Sequence, residues 1–365
     1  MKKVRIGIIG TGVGIRTLLP GFRNIDEAEV ISLLGSSPEK SEYFANRFEI
    51  PQVYNTVEQL CESDDIDLIC VATPNNCHYE QAKKAIIHGK HVLCEKPLAC
   101  TWQQTIELVK LSRQTEKLCL LDHQLRFNPY IKKIKEIIVN NELGKLYFLR
   151  IHQQSMGFSD PDAKWSWSFD DKQNGGVRWA MGVHFADLLL YWLKEDMFNI
   201  SGNMSPVIEW RKDSENVERK INSATLCTAS MLSQSGIDIE LSVTAAAFSE
   251  PRFDVDLYGT KGELHFDLKN KIHVYYPDKE QNKSWINLDG VSENEIENKV
   301  SFFSGSFQYF APLIIKAITE HSFDYVKEAA VFEDAIYTYK LLQSIQESTN
   351  TNSFINKLKY TRHYT

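Results

Sequence analysis

The sequence predicts an α/β domain built on a parallel, doubly wound sheet, followed by an α+β domain with a large, mainly antiparallel sheet. Three observations carry this expectation. Up to Asp122, short apolar runs alternate with helical patterns at the spacing of right-handed βαβ crossovers. Beyond the helix that ends near Asn140, strand-like runs sit too close together for crossover helices, so neighbouring strands pair antiparallel. At 365 residues the chain exceeds the size at which one core keeps growing, and two domains, 1–124 and 125–365, are expected.

Composition narrows the class of partners. Hydrophobic residues make up 43% and charged residues 24%, as in an ordinary globular protein. A net charge of -7 spread over mixed-sign segments argues against nucleic acid. No apolar run approaches the ~18 residues of a membrane span. The start, Met1-Lys2-Lys3-Val4-Arg5-Ile6, is basic then apolar, but glycines soon interrupt it, so it reads as a first strand. The seven cysteines form no Cys-x-x-Cys pair, which points to no disulfide framework and no metal site. Thiols inside apolar strands fit a reducing compartment, so a cytoplasmic location is expected.

The β-rich run Val4 to Ile9 leads into Gly10-Thr11-Gly12-Val13-Gly14-Ile15 and a helical pattern through Asn24. Strand, glycine turn and helix together are the context in which such a motif binds a dinucleotide. Gly10 permits the tight turn, and Gly12 lets backbone and helix amino end approach a pyrophosphate. Ile15 stands where a third glycine or alanine is usual, with Gly14 just before it, which predicts a shifted helix start. The second strand, Val30 to Leu34, ends in Gly35-Ser36-Ser37-Pro38-Glu39-Lys40. No carboxylate stands there to bind ribose hydroxyls, whereas Ser36, Ser37 and Lys40 can donate to a 2′-phosphate. This favours NADP(H) and leaves NAD(H) open. The same serines and proline also make a good helix amino terminus.

A short strand is expected near Val53-Tyr54, then a helix from Val57 to Cys61, an apolar strand from Leu68 to Ala72 and a helix from Tyr79 to His88. The run His91 to Cys94 lies between Gly89 and Pro97 and reads as a buried parallel strand that stops abruptly. Glu95 and Lys96 therefore fall at its carboxyl end, the edge where open α/β sheets bind ligands. A helix from Thr101 to Thr115 and a strand from Leu118 to Asp122 close the first domain. In the second, a helix covers Pro129 to Asn140, and strands cover Leu146–Gln154, Ser223–Leu232, Ile237–Ala246, Phe253–Tyr258 and Gly262–Phe266. Helices follow at Val177–Leu193, Phe307–Glu320 and Val331–Glu347, and the polar stretch 278–299 is expected to be a mobile insertion.

Taken together, Val71-Ala72-Thr73-Pro74, His78, Gly89-Lys90-His91-Val92 and Glu95-Lys96-Pro97-Leu98-Ala99 resemble the Gfo/Idh/MocA family, the relatives of glucose-fructose oxidoreductase and inositol dehydrogenase. The resemblance continues through Arg126-Phe127-Asn128-Pro129, Glu142-Leu143-Gly144, Gly175-Gly176 with His184 and Asp187, Gly259-Thr260-Lys261-Gly262 and Phe332-Glu333-Asp334-Ala335. It implies a Rossmann dinucleotide-binding domain whose cofactor meets Ala72, Thr73, Pro74, Asn76, His78, Glu95, Lys96 and Arg126 as well as the glycine loop. It also implies hydride transfer between a nicotinamide and a carbinol carbon of a sugar, polyol or derivative. Family members place the open face of the second sheet in a subunit interface, which implies a homodimer or homotetramer.

An alcohol yields hydride only if its hydroxyl proton also leaves. The resemblance gives that proton to Lys96, whose pKa would fall with burial beside a cationic nicotinamide, while Glu95 orients it. His184 is the second catalytic candidate, since helix spacing sets Ala180, His184 and Asp187 or Leu188 along one face. The family's sugar dehydrogenases carry Asp where this chain has Ala180. Either Lys96 and His184 suffice, or His123 substitutes, or the site binds without turnover. Lys164, Trp165, Trp167, Arg178 and Trp179 form an aromatic and basic set suited to sugar faces, or to packing between domains. Lys164, Arg178 and Arg126 would also suit an acidic or phosphorylated substrate. Two alternatives stay open: a non-catalytic sugar- or dinucleotide-binding regulator, and a NAD-assisted glycosidase.

Overall fold

Five parallel strands form the centre of the first unit: β1 (Val4–Ile9), β2 (Ala28–Leu34), β3 (Leu68–Val71), β4 (His91–Cys94) and β5 (Cys119–Leu121), in the order β2-β1-β3-β4-β5. They are rich in Ile, Leu and Val because helices cover both faces, and Ile6, Ile8, Ile69, Val92 and Leu93 are buried. The strand order reverses between β1 and β3, which opens a crevice beyond their carboxyl ends. The computed structural model describes residues 3–268, 271–285 and 302–360. Of these, 3–128 and 302–336 form one unit, and 129–268, 271–285 and 337–360 the other.

The glycine turn folds as its spacing predicts, with one refinement. The helix after it opens with a π-helical stretch, Gly14–Leu18, and becomes α-helical only at Leu19–Arg23. Gly14 explains why: a Cβ there would stand 2.7 Å from Ile8 Cγ2. The close helix-to-strand approach usually given to the motif's third glycine is made one position earlier. Near Val53-Tyr54 there is no strand; a single bridge joins Gln52 to Ser32 instead.

Residues 302–336, expected in the second domain, group with the first unit. The reason is the apolar stripe of helix Phe307–Thr319, which buries Phe307, Phe310, Ala311, Ile314, Ile315 and Ile318. Phe307 meets Phe22 edge-on at 5.2 Å, and Phe310 stacks on Phe127 at 4.2 Å. Each such side chain contributes about 1.5–3 kcal/mol by leaving water. Gly21 allows the approach, because a Cβ there would lie 2.4 Å from the Phe307 ring. Ala330–Val331 then adds an antiparallel edge strand beside β5.

The second unit holds a nine-stranded sheet in the order Lys283–Trp285, Lys271–Tyr275, Glu263–Asp267, Arg252–Gly259, Leu146–Gln154, Asp238–Thr244, Leu226–Ser233, Met197–Ser205 and Ile355–Leu358. It is mainly antiparallel, as expected, with one parallel pair between 146–154 and 238–244. Helices Pro129–Val139 and Val183–Leu193 lie on one face, where Tyr130 meets Phe266 at 5.9 Å and Phe185 meets Phe253 at 5.4 Å. Of the expected insertion, residues 278–285 form a short turn and an edge strand. The remainder lies outside the described residues.

Candidate active site

Strand register sets one row of residues along the carboxyl edge of the parallel sheet. Ile9 pairs with Val71, Val71 with Cys94 and Cys94 with Leu121. The next residue of each strand continues the ladder: the Ala72 amide donates to the Ile9 carbonyl (2.7 Å), Glu95 to Val71 (2.8 Å) and Asp122 to Cys94 (2.7 Å). Gly10, Ala72, Glu95 and Asp122 thus stand side by side. Gly10 has a φ of 112°, and a Cβ there would fall 2.1 Å from the Ala72 carbonyl oxygen.

The Gly12 position is different in kind. Among the described residues, no atom beyond its chain neighbours lies within 4 Å of where its Cβ would stand, and no side chain caps the helix that starts beyond it. An uncapped helix amino end over open space is what a pyrophosphate needs, so the residues present fit a dinucleotide. Thr11, Val13 and Ile15 complete the turn. At the end of β2, Ser37 caps helix Pro38–Arg47 by accepting from the Lys40 amide, and Lys40 Nζ donates to Ser36 Oγ at 3.2 Å. Ser36 and Lys40 are exposed together, so their hydroxyl and ammonium donors face solvent.

His78 ties two edge turns together. Its Nδ1 lies 2.8 Å from the Pro97 carbonyl and its Nε2 2.9 Å from the Thr73 carbonyl. A neutral imidazole donates to one of these carbonyls at a time, and His78 thereby links the Thr73-Pro74 and Lys96-Pro97 turns. The Lys96-Pro97 peptide is cis. Pro74 and Asn76 are exposed on the adjoining turn, and Asn75 is buried.

Around β4 and β5 the edge becomes strongly ionisable. Glu95 and Asp122 are buried, and Lys96 beside them is half-buried. Burial raises the pKa of both carboxyls, most for Asp122, which the Glu95 charge raises further. Burial lowers the pKa of Lys96 against the opposing pull of Glu95 and Asp122. His123, also buried, is held well below the usual imidazole value by burial and then by the Arg126 and Lys96 charges. Arg126 forms a buried ion pair with Asp334 at 3.1 Å. Its charge is thereby balanced within the protein.

In the second unit, His184 is buried in helix Val183–Leu193, directly after a π-helical stretch, Arg178–Gly182. Ala180 lies within that wide turn, four residues before His184. π-Turns recur at functional sites, and this chain has one at each of its two candidate helices. Arg178 is buried and pairs with Asp171 at 2.6 Å, with its guanidinium 4.8 Å from the Trp179 ring. Lys164 bonds Asn216 at 2.8 Å, and the Trp165 amide donates to Lys212, so both belong with the hairpin at 210–220. Trp167 instead lies against the Gly175-Gly176 turn, where a Cβ on Gly175 would meet the Trp167 carbonyl at 2.7 Å. Asn222, just past that hairpin, accepts from the Asp171 amide at 2.8 Å, which links it to the carboxylate that pairs with Arg178.

Residues 4–123 match the oxidoreductase family with an NAD-binding Rossmann fold called Gfo/Idh/MocA, and residues 131–265 match its C-terminal domain. The chain belongs to the Gfo/Idh/MocA family. It is accordingly an oxidoreductase with a nicotinamide-dinucleotide domain. Glucose-6-phosphate 3-dehydrogenase of Bacillus subtilis is 26% identical over 281 residues, which cover 75% of this chain and 77% of that protein. Levoglucosan dehydrogenase, solved with NADH and levoglucosan, shares the fold with a TM-score of 0.87 at 18% identity, covering 97% of this chain and 99% of the other. A super-repressor mutant of Gal80p from Saccharomyces cerevisiae also shares it, with a TM-score of 0.81 at 17% identity over 97% of each chain.

Sequence reasoning passed over Asp122 and Asp334. Asp122 had a signal, since a carboxylate ends the apolar run Leu118 to Leu121 at the ligand edge. Asp334 stands in the family-like stretch Phe332-Glu333-Asp334-Ala335, but only folding brings it to Arg126.

Proposed function

We propose that the protein is an NAD(P)-dependent dehydrogenase or reductase that acts on a CH–OH carbon of a sugar, polyol or sugar derivative. One observation carries this reading: the amine of Lys96, its proton affinity lowered by burial, lies on the sheet edge beyond the glycine turn. The dinucleotide, when bound, supplies the hydride acceptor or donor. Gly10 and Gly12 admit its pyrophosphate, and the Thr73-Pro74 and Lys96-Pro97 turns, braced by His78, shape the edge beside it. Lys96 takes the hydroxyl proton in oxidation and returns it in reduction. Glu95, whose Oε2 accepts from the Lys96 amide at 3.2 Å, orients that residue. His184 is assigned a second substrate contact on the family resemblance, with His123, Trp165 and Trp167 as further substrate contacts.

Two of the three expected cations, Arg126 and Arg178, are neutralised by Asp334 and Asp171. This favours an uncharged sugar over an acidic or phosphorylated one. Ser36 and Lys40 support NADP(H), and Lys40→Ala is expected to weaken NADP+ binding roughly fivefold to tenfold while leaving NAD+ binding unchanged. A cytoplasmic homodimer or homotetramer, joined through the nine-stranded sheet, completes the reading. Among the described residues, no helix is long and apolar enough to cross a membrane.

The test is a panel of cyclic sugars, including levoglucosan and glucose 6-phosphate, with each oxidised cofactor and with nicotinamide absorbance as the readout. Change with an uncharged sugar supports the proposal. Tight binding with no absorbance change for any sugar would favour a regulator, a reading that Ala180 and the shared fold of Gal80p keep open.

A further inference from the structure

Asp122, to which no role has been assigned, is buried beside Glu95. Strand register places the two residues side by side, one step beyond the paired Cys94 and Leu121. In adjacent parallel strands, registered residues point to the same face, so both side chains share one side of the sheet edge. Among the described residues, neither oxygen of Asp122 accepts a hydrogen bond from an N–H or O–H, and both are sealed from solvent. Its registered neighbour on that side of the sheet edge is the buried Glu95 carboxyl. Two carboxylates cannot hold each other in a buried site, but a carboxyl and a carboxylate that share one proton can.

The charge on Lys96 depends on this count. Two ionised carboxylates beside it would lock the amine as an ammonium and leave it unable to accept a proton. One shared proton halves that negative charge. The other titratable groups that feel the trio are the thiols of Cys70 and Cys94 and the imidazoles of His78 and His123. Burial keeps the thiols protonated and the imidazoles neutral, so these groups add no compensating charge.

We propose that Asp122 is a positioning residue for Lys96: together with Glu95 it holds one shared proton at neutral pH, and so presents one negative charge to the amine instead of two. The inference rests on the reading of Lys96 as the proton-handling group, but its test needs neither substrate nor cofactor.

The charge count makes an unusual demand on variants. Glu95→Gln and Asp122→Asn each leave one negative charge, so each should leave the titration midpoint of Lys96 within about half a unit of the wild-type value. The double variant leaves none, and the midpoint should fall by about a unit or more. The readout is the 13Cε resonance of Lys96 in lysine-labelled full-length protein, assigned with Lys96→Arg. Infrared spectroscopy gives a second measurement: the carbonyl stretch of a protonated buried carboxyl should be present in the wild type at neutral pH and absent from both single variants. Either single variant lowering the Lys96 midpoint as far as the double does would overturn the proposal. So would a wild type without the carboxyl band, or a band that survives Asp122→Asn. Failure of the sugar screen alone would leave these results standing, which separates this inference from the reading of the reaction.

Discussion

Arg126 and Asp334 form a buried ion pair at 3.1 Å, and the same guanidinium donates to the Glu328 carbonyl at 3.3 Å. The pair fastens the segment after helix Phe307–Thr319 to the turn that follows β5. Removing one partner leaves the other as an uncompensated buried charge. Arg126→Ala is therefore expected to cost about 3–5 kcal/mol, whereas the matched change Arg126→Met with Asp334→Leu costs less than either single substitution. Urea unfolding monitored by tryptophan fluorescence measures both. Equal losses in the single and double variants would show that the charge pairing is not what Arg126 contributes.

The two leading glycines of the turn should separate stability from binding. Gly10→Ala drives a Cβ into the Ala72 carbonyl and forces alanine to a φ of 112°, so the fold should lose several kcal/mol, roughly 3 or more. Gly12→Ala meets no atom of the described residues beyond its chain neighbours, so its melting temperature should stay near that of the wild type. Its added methyl occupies the space read here as the pyrophosphate site, and NADH affinity should fall at least tenfold. Thermal melts and NADH fluorescence titrations check the two halves separately. Unchanged NADH binding in Gly12→Ala would remove the pyrophosphate from that position.

Acid sensitivity has a specific source in β4. His91 Nδ1 accepts from the Leu118 amide at 3.0 Å, which requires an unprotonated nitrogen. Burial and then Lys117 push its pKa down to about 4 from an ordinary value of 6.5. Between those values the unfolded chain binds a proton that the folded chain does not, so stability is complete above about pH 6.5 and falls as pH drops toward about 4. His91→Gln keeps an acceptor for Leu118 without titrating. Its urea midpoint should therefore fall less steeply through this window than that of the wild type.

The sequence was most legible where a local rule decides the outcome. The strands Val4–Ile9, His91–Cys94 and Leu146–Gln154 fall where their apolar patterns place them, because burial on one or both faces fixes the composition of a strand. The glycine turn was legible for the same reason, and even its departure at Ile15 announced the altered helix start. What stayed hidden depends on distant partners. The return of 302–336 to the first unit follows from Phe307 and Phe310 meeting Phe22 and Phe127. The neutralisation of Arg126 and Arg178 follows from Asp334 and Asp171. The edge strand Ala330–Val331 is only two residues long and carries no periodicity to read. The partners of Lys164 and Arg178, Asn216 and Asp171, carried no signal in the sequence, since only folding brings each to its cation.

The reading as a whole turns on Lys96. The decisive measurement compares wild type with Lys96→Ala for cofactor affinity, by NADH fluorescence, and for turnover, by nicotinamide absorbance with the sugar identified in the panel. Loss of turnover by about a hundredfold or more with NADH affinity within about threefold of wild type is the expected result, since a positioned general base contributes 10²–10⁴. Full turnover in Lys96→Ala would contradict the assignment of the hydroxyl proton to this amine.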